Sequence, residues 1–140
     1  MMSEFTSRAR RLLQQQHWRF AAAGVVGLLV DMALLGLLLQ LACNPYLARL
    51  AAFLGAVCAT WLLNRHFTFA AVPHGKPLWL EWLQYLLAMS GGGLLNLAAS
   101  GAVLYFCRPA WWLAPAAVVA GSLAGMLFNF CAAKWWVFRA

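Results

Sequence analysis

The chain has 140 residues, 65% of them hydrophobic and only 9% charged, and its mean hydropathy is +0.76. A soluble domain carries about a quarter charged residues, so this chain has too little polar surface to fold in water. Its net charge of +7 invites a nucleic-acid reading, but the cations flank long apolar runs, which points to anionic lipid headgroups instead.

Taken in chain order, the first feature is a basic segment over residues 1–18. Phe5, Ala9, Leu12 and Leu13 share a helical face with Arg8 and Arg11 beside it, which predicts a short amphipathic helix on the inner leaflet, with a basic tail as the alternative. Apolar runs follow at residues 19–41, 47–64, 82–106 and 113–133, each near the ~20 residues that span a bilayer. The first run exceeds the about 7–15 residues of a signal core, and Gln40 stands where a lipoprotein cleavage box wants an aliphatic residue. It is expected to stay in the mature protein. The fold class is therefore an all-α membrane protein with four transmembrane helices.

The chain also repeats itself. Arg19-Phe20, Gly27, Asp31, Ala33 and Gly36 recur 65 residues later as Gln84-Tyr85, Gly92, Asn96, Ala98 and Gly101. The stretch from Thr60 to Phe69 recurs 69 residues later as Asn129 to Phe138, so the second copy holds a few extra residues near Trp111-Trp112. A duplicated apolar unit predicts two helix-hairpin repeats, 19–69 and 82–138, joined by a loop over 70–81. With four spans, Arg8, Arg10, Arg11, Arg19, Arg65, Lys76, Lys134 and Arg139 fall on one side, and Arg49 and Arg108 on the other. The positive-inside rule then places both termini and the 70–81 loop in the cytoplasm. The two hairpins run parallel, with a pseudo-two-fold along the membrane normal.

Small residues supply close-packing faces where lipid gives helices no hydrophobic push. They are Ala23 and Gly27, then Ala51, Gly55 and Ala59, then Ser90-Gly91-Gly92-Gly93, and finally Gly121 and Gly125. Most serve bundle packing, and part of the set offers a surface for self-association. Aromatic residues such as Trp18, Trp79, Trp135 and Trp136 on one side, and Tyr46, Tyr105, Trp111 and Trp112 on the other, read as interfacial anchors. The four cysteines lack the spacing of a metal site. Cys58 and Cys131 read as apolar fillers, while Cys43 and Cys107 fall in corresponding outer loops where an oxidising exterior would permit a bridge.

Polar residues inside such a unit require a reason. Asp31 lies about 18 Å beyond Arg19 at a rise of ~1.5 Å per residue, deep in the hydrocarbon, where an ionised carboxylate costs about 2.5–3.5 kcal/mol. Asn96 occupies the same depth in the second copy. Two readings stand for this pair: a hydrogen bond across the pseudo-two-fold with Asp31 protonated, or a mid-membrane path for a polar ligand. A second cluster closes the even-numbered spans, with Asn64, Arg65 and His66 in one copy and Asn129 and Lys134 in the other. Helix dipoles and snorkelling account for a terminal cation. They do not account for the amides beside it, which suit an oxygen-rich anion such as a sugar-bearing phosphate.

Arg19-Phe20 with Asp31 downstream, Asn64-Arg65-x-Phe67-Thr68-Phe69, and Asn129-Phe130-x-x-x-Lys134-x-Trp136-Val137-Phe138 together resemble the GtrA-like family from about residue 18 to 138. The chain departs from the usual pattern at Thr60-Trp61, where Asn-Phe is common, at Phe67, where Trp is common, and at Ala133, which replaces the polar residue matching Asn64. The resemblance implies a bacterial inner-membrane protein of cell-surface polysaccharide synthesis that moves a polyprenyl-phosphate-linked sugar, typically undecaprenyl-phosphate glucose, to the outer leaflet.

On that reading Arg65, Lys134 and Arg19, with Asn64 and Asn129, hold the phosphate headgroup, and Asp31 and Asn96 line a midplane sugar path. No metal, cofactor or catalysis is expected: the acidic residues are only Glu4, Asp31 and Glu81, too scattered for paired acid-base chemistry. A four-helix subunit is too thin to enclose the path, so a homo-oligomer is expected, with anionic lipids and a membrane glycosyltransferase as further partners. A proton-coupled exporter using Asp31, and an adaptor for such a transferase, are the alternatives.

Overall fold

A computed structural model describes the backbone of residues 2–139 and the side chains of Arg11 and of residues 15–139. It contains four long helices: α1 (Met2–Gln40), α2 (Pro45–Leu63), α3 (Leu78–Phe106) and α4 (Leu113–Ala132). All four are long and apolar enough to cross a membrane, so this is an integral, all-α membrane protein. The chain divides into two compact units, Met1–His74 and Gly75–Ala140.

In the first unit α1 packs along α2. The helix is unbroken from Met2, so the expected short N-terminal helix is no separate element; nothing in Gln14-Gln15-Gln16-His17-Trp18 breaks a helix. The side chains of Phe5, Arg8, Ala9, Leu12 and Leu13, on which the amphipathic reading rests, lie outside the described residues. α1 stops at Ala42, whose φ of 56° is left-handed, and the Cys43 amide closes back on the Leu38 carbonyl at 3.1 Å. That is the usual glycine C-cap geometry made with an alanine, at some strain. Asn44 then caps α2, its side-chain oxygen accepting from the amides of Tyr46 (2.9 Å) and Leu47 (3.3 Å), with Pro45 at the first helical position. The fully buried residues of α2 include Ala48 and Ala52, whereas Ala51 is exposed. The contact face is thus turned from the one anticipated, although Gly55 does lie against Leu34 and Gly27 against Thr60.

In the second unit α3 packs along α4. α3 begins at Leu78, directly after Pro77, four residues earlier than the apolar run suggested. Pro77 cannot continue a helix backwards, and Leu-Trp-Leu-Glu has no reason not to join it. The seam with α4 is built on the anticipated glycines. A Cβ at Gly125 would sit 2.8 Å from the Gly92 carbonyl oxygen, and one at Gly121 would sit 2.6 Å from that of Asn96. Only glycine lets the two backbones approach this closely.

Both even-numbered helices end in a π turn, over Asn64–Thr68 and Ala133–Val137. Each is closed by an amide reaching back five residues, Phe69 to Asn64 and Phe138 to Ala133, both at 2.8 Å. The motif read as the end of a span is therefore the continuation of one, in a wider helical form associated with functional sites.

Candidate functional site: the π-turn ends and the polar seam

At the end of the first unit the structure gathers Arg19, Asn64 and Arg65. The Arg19 guanidinium donates to the Phe67 carbonyl at 3.0 Å, one of the last carbonyls of the helix, which lack intrahelical donors and favour a cation. Asn64, fully buried, accepts from the Thr68 hydroxyl at 2.7 Å, tying the two ends of the π turn. Arg65 lies within the turn, half-buried. Arg19 itself stays exposed, and an open cleft of about 630 Å³ is lined by Arg11, Gln15, Trp18 and Arg19. Those residues recur at helical spacing on α1, so two guanidiniums, an amide and an indole face share one opening.

The second unit builds the same end with different residues. Ala133 and Val137, both fully buried, replace the Asn64–Thr68 pair, so this turn is closed without side-chain polarity. Gln84 stands where the first copy has Arg19, and no cation remains at that position. Lys76 supplies it instead. Its ammonium donates to the carbonyls of Trp136 (2.8 Å) and Val137 (2.9 Å) and to Gln84 Oε1 (3.1 Å). Those are three acceptors for its three protons, so Lys76 is saturated. Lys134, by contrast, lies over the rings of Phe130 and Trp135, 5.7 and 5.9 Å from their centroids, contacts that leave its N–H groups for another acceptor.

The remaining polar residues lie along the seams. Asn129 presses its Oδ1 against Gly92, and that atom is buried without a hydrogen-bond partner. One turn along, the Asn96 side chain accepts weakly from Ser100 at 3.4 Å, while the Ser100 hydroxyl also donates to the Ala117 carbonyl at 2.9 Å. Asn96 and Asn129, read from sequence as belonging to separate clusters, thus share the α3–α4 seam. In the first unit Thr60 occupies the place of Asn129 opposite Gly27 and satisfies itself on the Ala56 and Val57 carbonyls at 2.9 and 3.1 Å. Asp31 has a partner that sequence reasoning missed: Arg49, one turn into α2, whose Nη1 lies 2.7 Å from Asp31 Oδ2.

Four residues beyond the sequence candidates therefore belong to the description: Arg49, Lys76, Gln84 and Glu81. From sequence Arg49 counts only as one of two cations on the outer side, and Lys76 as a cation of the 70–81 loop. Glu81 is fully buried in the first turn of α3, where the helix dipole favours a carboxylate. The only signal for Lys76 was the loss of arginine at Gln84. Cys43 and Cys107 are exposed free thiols. No group of three metal-binding side chains occurs among the described residues.

No curated protein matches the chain. The GtrA/DPMS transmembrane domain matches it over residues 19–138, a stretch that takes in both helix pairs and both π turns. A domain of this kind fits involvement in the handling of polyprenyl-phosphate-linked sugars. With the match covering most of its length, the chain belongs to the GtrA/DPMS transmembrane-domain family.

Proposed function

We propose that this protein is a flippase that carries a polyprenyl-phosphate-linked monosaccharide, undecaprenyl-phosphate glucose or a close relative, from the cytoplasmic to the outer leaflet of a bacterial inner membrane. The sugar then serves to modify cell-surface polysaccharide, and the protein performs no chemistry on it. Both termini face the cytoplasm in this reading, and the two hairpins are parallel repeats. The matching π turns, each with a cation donating to its last carbonyls, favour the repeat.

The observation that carries the proposal is the convergence of Arg19 and Arg65 on one π-turn end, within a family that fits sugar-lipid handling. A sugar phosphate presents diffuse negative charge and many hydroxyls. Arg19 and Arg65 would meet the phosphate, with the Asn64 amide on a neighbouring oxygen, and Lys134 and Asn129 would offer the same chemistry within the second unit. Asp31 and Asn96 would offer acceptors to the sugar further along the seams. The polyprenyl tail stays in lipid, which a groove at the face of a homo-oligomer permits. Anionic lipids surround the basic face, and a membrane glycosyltransferase is the partner that consumes the product. An ion-paired Asp31 argues against the exporter alternative, because a proton carrier needs a carboxylate free to release and regain its proton.

The test is translocation of the labelled sugar lipid in proteoliposomes. Charge-assisted contacts contribute on the order of 1.5–3 kcal/mol, and each ~1.4 kcal/mol is tenfold. Arg65→Gln should therefore lower affinity about tenfold or more, whereas Arg139→Gln, at an exposed position outside the site, should change it little. Equal effects of the two would assign the contribution to general membrane electrostatics.

A further inference from the structure

Asp31 and Arg49 form an ion pair at 2.7 Å, with the carboxylate side chain 14% exposed and the guanidinium 58% exposed. Three features of this pair are unusual for a structural salt bridge. Only one N–H of the guanidinium fork is engaged among the described residues, out of five. Asp31 Oδ1 is buried with no partner, so the pair does not satisfy even its own acceptor. Arg49 also sits one turn inside the N-terminus of α2, the positive end of the helix dipole, where a cation gains nothing and an anion is favoured.

Position adds a fourth consideration. Arg19 meets the π turn that ends α2, and Asp31 meets the beginning of α2, so the two contacts mark opposite ends of one hairpin. Twelve residues of α1 separate them, about 18 Å at the helical rise of ~1.5 Å per residue. Between them the helices are held close at Gly27 and Thr60. The hairpin therefore carries exposed guanidinium at both ends of a single seam.

We propose, resting on the flippase reading, that Arg49 is the second phosphate station, the one that receives the lipid-linked headgroup on the outer side. Asp31 is its positioning residue and competitor. While no substrate is present the carboxylate holds the guanidinium and neutralises it within the apolar span. An arriving phosphate takes the open side of the fork, and Asp31, still a hydrogen-bond acceptor, weakens that hold enough for release. The second unit has no equivalent, since Asn96 and Val118 occupy the corresponding positions, so each chain supplies one such station. The same chemistry would attract an ordinary phospholipid headgroup, and the test separates the two sources.

The experiment uses full-length protein in vesicles of phosphatidylcholine, with or without phosphatidylglycerol, and labelled polyprenyl-phosphate glucose added on the cytoplasmic side. Four proteins are compared: wild type, Arg49→Gln, Arg49→Lys and the exchange Asp31→Arg with Arg49→Asp, each with its thermal unfolding measured. Arg49→Gln is expected to lower the maximal rate tenfold or more while the half-saturating concentration changes less than twofold, because the arrival site is untouched. Arg49→Lys should recover part of the rate. The exchange should restore the unfolding temperature and leave transport low, since the cation has moved off the outer station.

Transport rescued by the exchange would make the pair purely structural and overturn the inference. So would an unchanged rate in Arg49→Gln, or a defect seen only with phosphatidylglycerol present, which would assign Arg49 to bulk lipid. Wild type with no translocation above empty vesicles would instead sink the flippase reading, and this station with it.

Discussion

Replacing Gly121 by alanine tests the tightest backbone contact in the second unit. The added Cβ would meet the Ser100 hydroxyl and lie 2.6 Å from both the carbonyl and the side-chain oxygen of Asn96. Ordinary contact begins near 3.4 Å, so α4 must withdraw from α3 by about 0.8 Å. A gap of roughly 0.5–1 Å forfeits a quarter to a half of the dispersion energy of the contacts it opens. Overpacking of this kind costs about 1–3 kcal/mol, against a helix-propensity gain of up to ~1 kcal/mol for glycine to alanine. With the full propensity gain the net loss is up to about 2 kcal/mol.

Gly93, with nothing within 4 Å of its Cβ position, is the internal control, since Gly93→Ala gains propensity and meets no neighbour. Unfolding of the micelle-solubilised protein by increasing denaturing detergent, followed by far-ultraviolet circular dichroism, should place the two variants on opposite sides of wild type. A Gly121→Ala protein as stable as Gly93→Ala would refute the packing argument, because it would mean that the seam relaxes without cost.

Two further predictions follow from local geometry. Lys76→Met removes the ammonium that straps Trp136, Val137 and Gln84, and hydrogen bonds from a charged donor at a half-buried site contribute about 1–2 kcal/mol. The Phe138 amide, which closes the second π turn, should then exchange its proton roughly 5–30-fold faster, and an unchanged rate would show that the turn holds itself. For topology, an impermeant thiol reagent added outside intact cells should modify Cys43 and Cys107, whereas a cysteine introduced at Ser3 should be protected. External labelling at position 3 would reverse the orientation and the direction of transport proposed with it.

Composition and run length alone determine that this chain lives in a bilayer as four helices, because 65% apolar residues with so few charges require lipid and apolar runs of about 20 residues suit helices rather than barrel strands. Small-residue spacing also pointed to the glycines of the α3–α4 seam, and the family-like motifs to Arg19, Asn64 and Arg65 as polar residues needing a reason. What sequence could not show is which groups meet across a seam, since that depends on helix rotation and height rather than on spacing within one helix. Ala51 was chosen as a contact residue when rotation of α2 buries Ala48 and Ala52 instead.

Asp31 looked solitary because its partner is 18 positions away on another helix. Lys76 was read as a loop charge because only the fold brings it to the carbonyls of Trp136 and Val137. The π turns have no side-chain signature at all: one is tied by Asn64 and Thr68, the other closes around Ala133 and Val137, and the common cause is a backbone amide reaching one residue further back. Sequence named the membrane and the residues out of place in it. Tertiary structure decided which of them are paired, saturated or still open to a ligand.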